Sequence, residues 1–202
     1  RAWEKRLALA KAALFCLRRA VRADHAVLAD LWRRSVVATH AFLSCAAVAE
    51  IHIAVRQVYL PGVEDLWLAH CGPGARKGQD GSAGGLRPVG FMGRNGGHVD
   101  MLFVDPAFFG CGAGRTLLRL AWERAFAAGL PLTLDVNEQN PAAVAFYRRM
   151  GFVVTGRSPV DSAGRPYPLL HMAADRGCAR LLAGRCCRSF SPADPVVVPV
   201  RR

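Results

Sequence analysis

The sequence predicts an α/β (α+β) chain, with about four helices flanking a mixed central sheet of about six or seven strands. Two segments carry most of that prediction. In the first, the apolar strand His98–Val104 passes Val104–Asp105–Pro106 and a glycine-rich turn, Gly110–Cys111–Gly112–Ala113–Gly114–Arg115, into a helix over Gly112–Ala128. In the second, a strand over Leu132–Val136 leads through Asn140–Pro141 into a helix that ends before Gly151–Phe152. Each is a strand followed by a helix with its own start signal, the unit from which sheets with packed helices are assembled.

The other elements follow in order. Residues 14–21 alternate apolar and other side chains and read as a first strand. Asp24 is the expected N-cap of a helix over His25–Arg34, with Val27, Leu28, Leu31 and Trp32 on one face. Ser35–Phe42 reads as a connector, Ser44–Val58 as a second helix and Leu66–Ala69 as a short strand. Cys71–Gly85, rich in glycine and charge, reads as a mobile hairpin loop. Arg87–Gly93 is the next strand, and Arg94–Gly97 a tight turn into His98–Val104. In the Gly112–Ala128 helix, Leu117, Leu118, Ala121, Trp122, Ala125 and Phe126 form the sheet-facing stripe, and Gly129 is a natural stop. Leu132, Leu134 and Val136 share one face of their strand, and Asn140 with Pro141 is a cap followed by proline at the first helical position. Phe152–Thr155 and Pro168–Ala173 are the last strands, joined by the turn-rich Ser158–Gly164. The organisation expected is an N-terminal extension over 1–13, a folded domain over 14–173 and a basic, disordered tail over 174–202.

Composition narrows the function classes. An apolar fraction of 52% fills a core, yet no apolar stretch reaches the about 20 residues a membrane helix needs. The basic and apolar residues of 1–15 resemble a signal peptide only loosely, because Lys11 interrupts the apolar run, so a helical extension is expected. The seven cysteines show no zinc-ligand spacing, and no C-x-x-C occurs, so no metal site is expected and a reduced, cytoplasmic setting is. The net charge of +12 invites a nucleic-acid partner. The charge sits mainly at the ends, however. Residues 1–20 hold six basic against one acidic residue, and 174–202 six against two. The middle of the chain carries only a small excess, so solvated tails are preferred to a nucleic-acid surface.

Three glycines at alternate positions let main-chain N–H groups approach an anion closely, and the helix that follows adds its positive end. This is a pyrophosphate cradle and implies a phosphorylated cofactor. It is not a Walker loop, because no Lys-Ser or Lys-Thr follows, and not a dinucleotide fingerprint, whose third glycine would fall on Arg115. The spacing instead resembles motif A of the GNAT acyl-CoA-dependent N-acetyltransferases, [QR]-x-x-G-x-[GA], with Gly112 and Gly114 at the small positions and Phe109 in place of the usual Gln or Arg. Leu134–Pro141 with Ala142–Phe152 resembles motif B of the same superfamily, with Asn140, Ala143, Tyr147, Gly151 and Phe152 as its core. The resemblance covers about residues 16–173. Within the superfamily it is nearest to small bacterial YjaB-type acetyltransferases, through Ser35–Val36, Ala38–Thr39–His40, Val89–Gly90–Phe91–Met92, Asn137–Glu138–Gln139–Asn140 and Arg165–Pro166–Tyr167–Pro168–Leu169–Leu170.

The resemblance implies a GNAT fold whose fourth and fifth strands splay apart to admit the pantetheine arm of acetyl-CoA. Carried over, Leu102, Phe103 and Val104 line that arm, and an N–H at Leu102 or Phe103 polarises the acetyl carbonyl. The N–H groups of Gly110, Cys111, Gly112, Ala113, Gly114 and Arg115 hold the phosphates. Asn140 is a helix cap, a contact to the cofactor arm, or both. Tyr147, two helical turns on, is either an ordinary core aromatic beside Phe146 or the general acid for the leaving thiolate. Asp135 faces away from Leu134 and Val136, as a general base or as a carboxylate that only binds a cationic substrate. His98 and Asp100, on one side of the central strand, compete for the same role or form a polar pair at its entrance. Thr39, His40 and Phe42 occupy the region that shapes the acceptor pocket in relatives. Cys111 has no histidine beside it in sequence, so an acyl-enzyme is not expected.

The expected activity is therefore transfer of an acetyl group from acetyl-CoA to a primary amine by direct attack in a ternary complex. The acceptor is a small amine or a protein amino group, and the protein a monomer or homodimer. A module that binds acyl-CoA with little turnover is the alternative, and a nucleic-acid-associated protein acting through its basic ends a third.

Overall fold

A computed structural model describes residues 15–71 and 88–175, together with the backbone of 196–198. The extension over 1–13, all but the first residue of the 71–85 loop, and the tail beyond Asp175 other than 196–198 lie outside the described residues.

The strands are β1 (Phe15–Arg19), β2 (Asp65–Cys71), β3 (Pro88–Asn95), β4 (His98–Val104), β5 (Thr133–Asn137), β6 (Phe152–Ser158), β7 (Leu169–Ala174) and the short β8 (Val196–Val198). They form one sheet in the order β6-β7-β5-β4-β3-β2-β1-β8. The seven strands from β6 to β1 make up the mixed sheet expected, and β8 adds three residues antiparallel to β1, within the segment read as a disordered tail. All registered pairings are antiparallel except β4 with β5. Among the described residues, four helices flank the sheet: α1 (His25–Thr39), α2 (Cys45–Ala54), α3 (Ala113–Ala127) and α4 (Pro141–Arg149). α2 runs on through a π-turn at Val55–Tyr59 and a last turn at Leu60–Gly62.

Two apolar clusters hold the layers together. α1 and α2 bury Leu28, Leu31, Trp32, Val36 and Ile51 against Leu68, Phe91 and Met101 on one face. On the other face, Leu117, Leu118 and Ala121 of α3 and Val144 and Tyr147 of α4 pack on Val89, Met92, Leu134, Val136 and Met172. β3 is covered on both sides, hence its continuous apolar run.

Local signals set most boundaries correctly. Ser44 caps α2 by accepting from the N–H of Ala47 at 3.1 Å, and Asn140 caps α4 by accepting from Ala143 at 3.1 Å with Pro141 next. Three expectations need correction. Ser35–Thr39 is helical rather than a connector, because burial of Ser35 and Val36 outweighs the weak helix propensity of Ser-Val-Val-Ala-Thr. The side chain of Asp24 does not cap α1 but turns back to accept from the Val21 N–H at 2.8 Å and from Arg18 at 2.7 Å. Phe126 leaves the sheet-facing stripe: it is 71% exposed and stacks on Trp122 at 5.3 Å between ring centres.

Candidate active site

β4 and β5 pair at only two positions, His98 with Thr133 and Val99 with Leu134. Beyond them β4 stays paired with β3 as far as Val104, and β5 with β7 as far as Asn137. The two strands therefore part, and the gap between them is lined by main chain. Their hydrogen-bonding direction follows from alternation along a strand. Asp105 donates its N–H to Val89 across β3, so Phe103 also turns to β3, and Leu102 and Val104 turn to the gap. Of the two candidates for a carbonyl-polarising donor, the ladder thus selects Leu102. On β5, Glu138 donates to Pro168 and Leu132 accepts from Ala174, which leaves Asp135 facing the gap.

A β-bulge interrupts β4. Gly93 pairs with Met101 and Arg94 with Val99, leaving Asp100 unpaired. Accordingly Val99 packs in the α3–α4 core while Met101 packs in the α1–α2 core. The simple alternation that sets His98 and Asp100 on one side is broken here. His98 Nδ1 lies 2.9 Å from the Thr133 hydroxyl at the closed end of the gap, and Asp100 accepts from Asn95 Nδ2 at 3.1 Å. Partial burial raises the Asp100 pKa above the ordinary carboxylate range, against a smaller lowering by His98.

The glycine-rich turn lies past the C-terminal end of β4. Gly110 and Gly112 adopt φ of +76° and +90°, conformations that disfavour any side chain. Gly112 is the N-cap of α3, with no side-chain cap and no acidic residue in the first turn. Gly114 packs beside Val104 and Phe146, where a Cβ would lie at ordinary contact distance, 3.5–3.6 Å from both. Such a helix start suits an anion. Cys111 departs from its expected part: its N–H donates to Phe108 at 3.2 Å and its side chain is buried. Phe109 is 45% exposed. Asp105 braces the turn by accepting from Ala107 at 3.1 Å and from Arg34 of α1 at 3.0 Å.

On the α1–α2 face, Thr39 lies 2.8 Å from His40 Nδ1, and the His40 ring meets Phe42 at 5.3 Å. Phe42 in turn meets Tyr167, just before β7, at 5.9 Å. The predicted acceptor-side residues are therefore one cluster, joined by Tyr167, which sequence reasoning did not single out. Burial holds the His40 pKa below its ordinary value. Asp135 is exposed and bonded to His171 Nδ1 at 2.6 Å, and His171 Nε2 lies 2.8 Å from the Ser158 hydroxyl. His171 and Ser158 were also missed. The available signal was the alternation of β7, which sets His171 opposite Leu170 and Met172. On the α3–α4 face, Tyr147 is buried, with its ring edge-on to Phe146 at 5.2 Å and Phe152 at 5.8 Å. Burial raises its phenol pKa well above the ordinary value.

The sheet is opened between its parallel strands with an uncapped helix start past the end of β4, and the comparisons give the class of protein: an acetyltransferase. Residues 79–152 match the Acetyltransferase (GNAT) family. The chain belongs to that family. It is 44% identical over 157 residues to the peptidyl-lysine N-acetyltransferase YjaB of Escherichia coli K12, covering 78% of this chain and 95% of that protein. The Salmonella typhimurium protein of the same name is 45% identical over 156 residues, covering 77% and 95%. The solution structure of apo YjaB from Escherichia coli superposes with a TM-score of 0.64 at 43% identity, over 79% of this chain and 96% of that one. Among the described residues no helix is long and apolar enough to cross a membrane.

Proposed function

We propose that this chain is an acetyl-CoA-dependent N-acetyltransferase whose acceptor is the side-chain amine of lysine in a protein or peptide. The observation that carries the transferase reading is the loss of β4–β5 pairing after Val99 and Leu134. The lysine acceptor rests on the two relatives above that bear the name peptidyl-lysine N-acetyltransferase. The residues of the gap and turn suit the cofactor. Unpaired strand edges accept an amide-bearing arm as an added strand would, and the bare start of α3 suits phosphate. Leu102, Phe103 and Val104 are the residues we assign to the arm, with Asn140, and Gly110, Gly112, Ala113, Gly114 and Arg115 those assigned to the phosphates, the Cys111 N–H being bonded to Phe108. When bound, acetyl-CoA supplies an activated acetyl thioester.

The chain's own groups then have three tasks. The Leu102 N–H donates to the carbonyl oxygen where negative charge develops. Tyr147, kept protonated by burial, gives a proton to the departing sulfur. Asp135, exposed at the gap, belongs to the proton-accepting side, since a lysine ammonium must lose a proton before its nitrogen can attack. His98 and Asp100 border the acceptor, and Thr39, His40, Phe42 and Tyr167 form the wall along which the lysine stem lies. We further propose residues 14–173 as the catalytic unit and a reducing, cytoplasmic setting, in keeping with the free cysteines 16 and 45.

The test is thiol release from acetyl-CoA over a panel of lysine peptides and small amines. Release that depends on the peptide, with mass spectrometry locating the acetyl group on the lysine side chain, is the expected outcome. Binding of acetyl-CoA without release for any acceptor would replace the reading with an acyl-CoA-binding module.

A further inference from the structure

We propose that His171 is the proton acceptor for the acceptor amine, with Asp135 orienting its ring and the Ser158 hydroxyl relaying to its free nitrogen; this rests on the transferase reading above. Asp135, His171 and Ser158 form a continuous chain across three strands, with contacts of 2.6 and 2.8 Å. Its chemistry fixes its direction. A carboxylate can only accept, so the proton between Asp135 and His171 belongs to Nδ1. The lone pair of a neutral imidazole is then on Nε2, where the Ser158 hydroxyl donates.

The fold seats this ring deliberately. Asp135 and His171 are direct cross-strand partners of β5 and β7. Across β7, the β6 pairing slips between Val154 and Gly156, and a Cβ at Gly156 would come within 3.3 Å of the imidazole. The bulge and the missing side chain together make room for the ring, and bulges often aim side chains beside active sites. Asp135 lies on the strand that borders the gap, and the imidazole sits one strand further from β4, across β5. This face of β5, β7 and β6 lies opposite α4, and Asp135 and His171 are 35% and 39% exposed. An acceptor can reach them, and a proton can leave to water. Asp135 from β5 and Ser158 from β6 are the polar groups meeting the ring. Arg157 alternates to the other side of β6 and pairs with Glu138 at 2.7 Å.

The step balances as follows. The lysine ammonium gives one proton to His171 Nε2 through the Ser158 oxygen, which takes a proton from the amine as it releases its own. The neutral nitrogen bonds to the acetyl carbon as the carbon–sulfur bond breaks. The amide nitrogen then releases its second proton to water, Tyr147 gives its phenolic proton to sulfur and regains one from water, and His171 returns its proton to water, so one proton is released overall. Asp135 is accordingly a positioning residue, and His171 carries the base function.

His171→Ala and His171→Gln test this in the full chain, with amine-dependent thiol release followed from pH 5.5 to 9.5. In the wild type, kcat/KM rises with pH through an inflection as the proton acceptor loses its proton. Both variants are expected to fall about a hundredfold at neutral pH and to lose that inflection, while acetyl-CoA affinity stays unchanged. Added imidazole is expected to restore part of the His171→Ala rate, which a purely structural histidine would not allow. Asp135→Asn is expected to shift the inflection. A wild type that turns over, alongside variants that keep its rate within threefold and its pH profile, overturns this inference alone. A wild type without amine-dependent release overturns it together with the transferase reading.

Discussion

Replacing Tyr147 by phenylalanine separates the two roles open to that residue, because the ring stays and only the hydroxyl leaves. The edge-on contacts to Phe146 at 5.2 Å and Phe152 at 5.8 Å survive the change. Each such contact contributes about 0.5–1.5 kcal/mol beyond its buried area. Loss of the hydroxyl itself alters stability by no more than about 1 kcal/mol. The thermal midpoint should therefore move by only a few degrees. Tyr147→Ala, by contrast, would empty a site that is 8% exposed and cost about 3–5 kcal/mol. Catalysis should respond in the opposite proportion. A general acid contributes about 10²–10⁴-fold, so kcat of Tyr147→Phe should drop at least about a hundredfold, equivalent to about 2.7 kcal/mol of barrier. Acetyl-CoA affinity should be near the wild-type value. The assay is steady-state thiol release with a lysine peptide, repeated with an acetyl thioester of a more acidic thiol. Such a leaving group needs less protonation, so the gap between variant and wild type should narrow. A folded Tyr147→Phe protein with wild-type kcat would refute the acid role and leave Tyr147 a core ring only.

Two further outcomes concern stability. Asp65 is 7% exposed and accepts from Arg94 and Trp67 at 2.8 Å each, with Arg19 at 3.2 Å and Arg124 at 3.5 Å. Asp65→Ala leaves those cations uncompensated and should cost about 3–5 kcal/mol, read as a lower urea midpoint at unchanged slope; an unchanged midpoint would show the network to be dispensable. His40 has a folded pKa depressed by burial, so its contribution to stability is present above the unfolded value of about 6.5 and is lost as pH falls through the folded value. Between pH 7 and pH 5 the wild type should therefore lose stability that His40→Gln retains, and parallel stability curves for the two proteins would contradict the burial argument.

The sequence by itself determined what depends on near neighbours in the chain. Ser44 and Asn140 announce helix starts because their side chains bond N–H groups three residues on. Gly110 and Gly112 announce a left-handed turn because glycine adopts positive φ without steric cost. The gap-lining strands, the glycine-rich turn and α4 were legible for that reason. The tertiary structure alone decided what depends on register between distant strands. Burial of Val36 carried α1 five residues beyond its expected end. The bulge at Asp100 redirected β4, and no local pattern encodes an unpaired residue. The ladder chose Leu102 over Phe103. Most plainly, the link from Asp135 to His171 joins residues 36 apart, and that to Ser158 crosses a third strand. A side chain's partner across a sheet is set by register, and register is fixed only when the whole apolar face is buried at once.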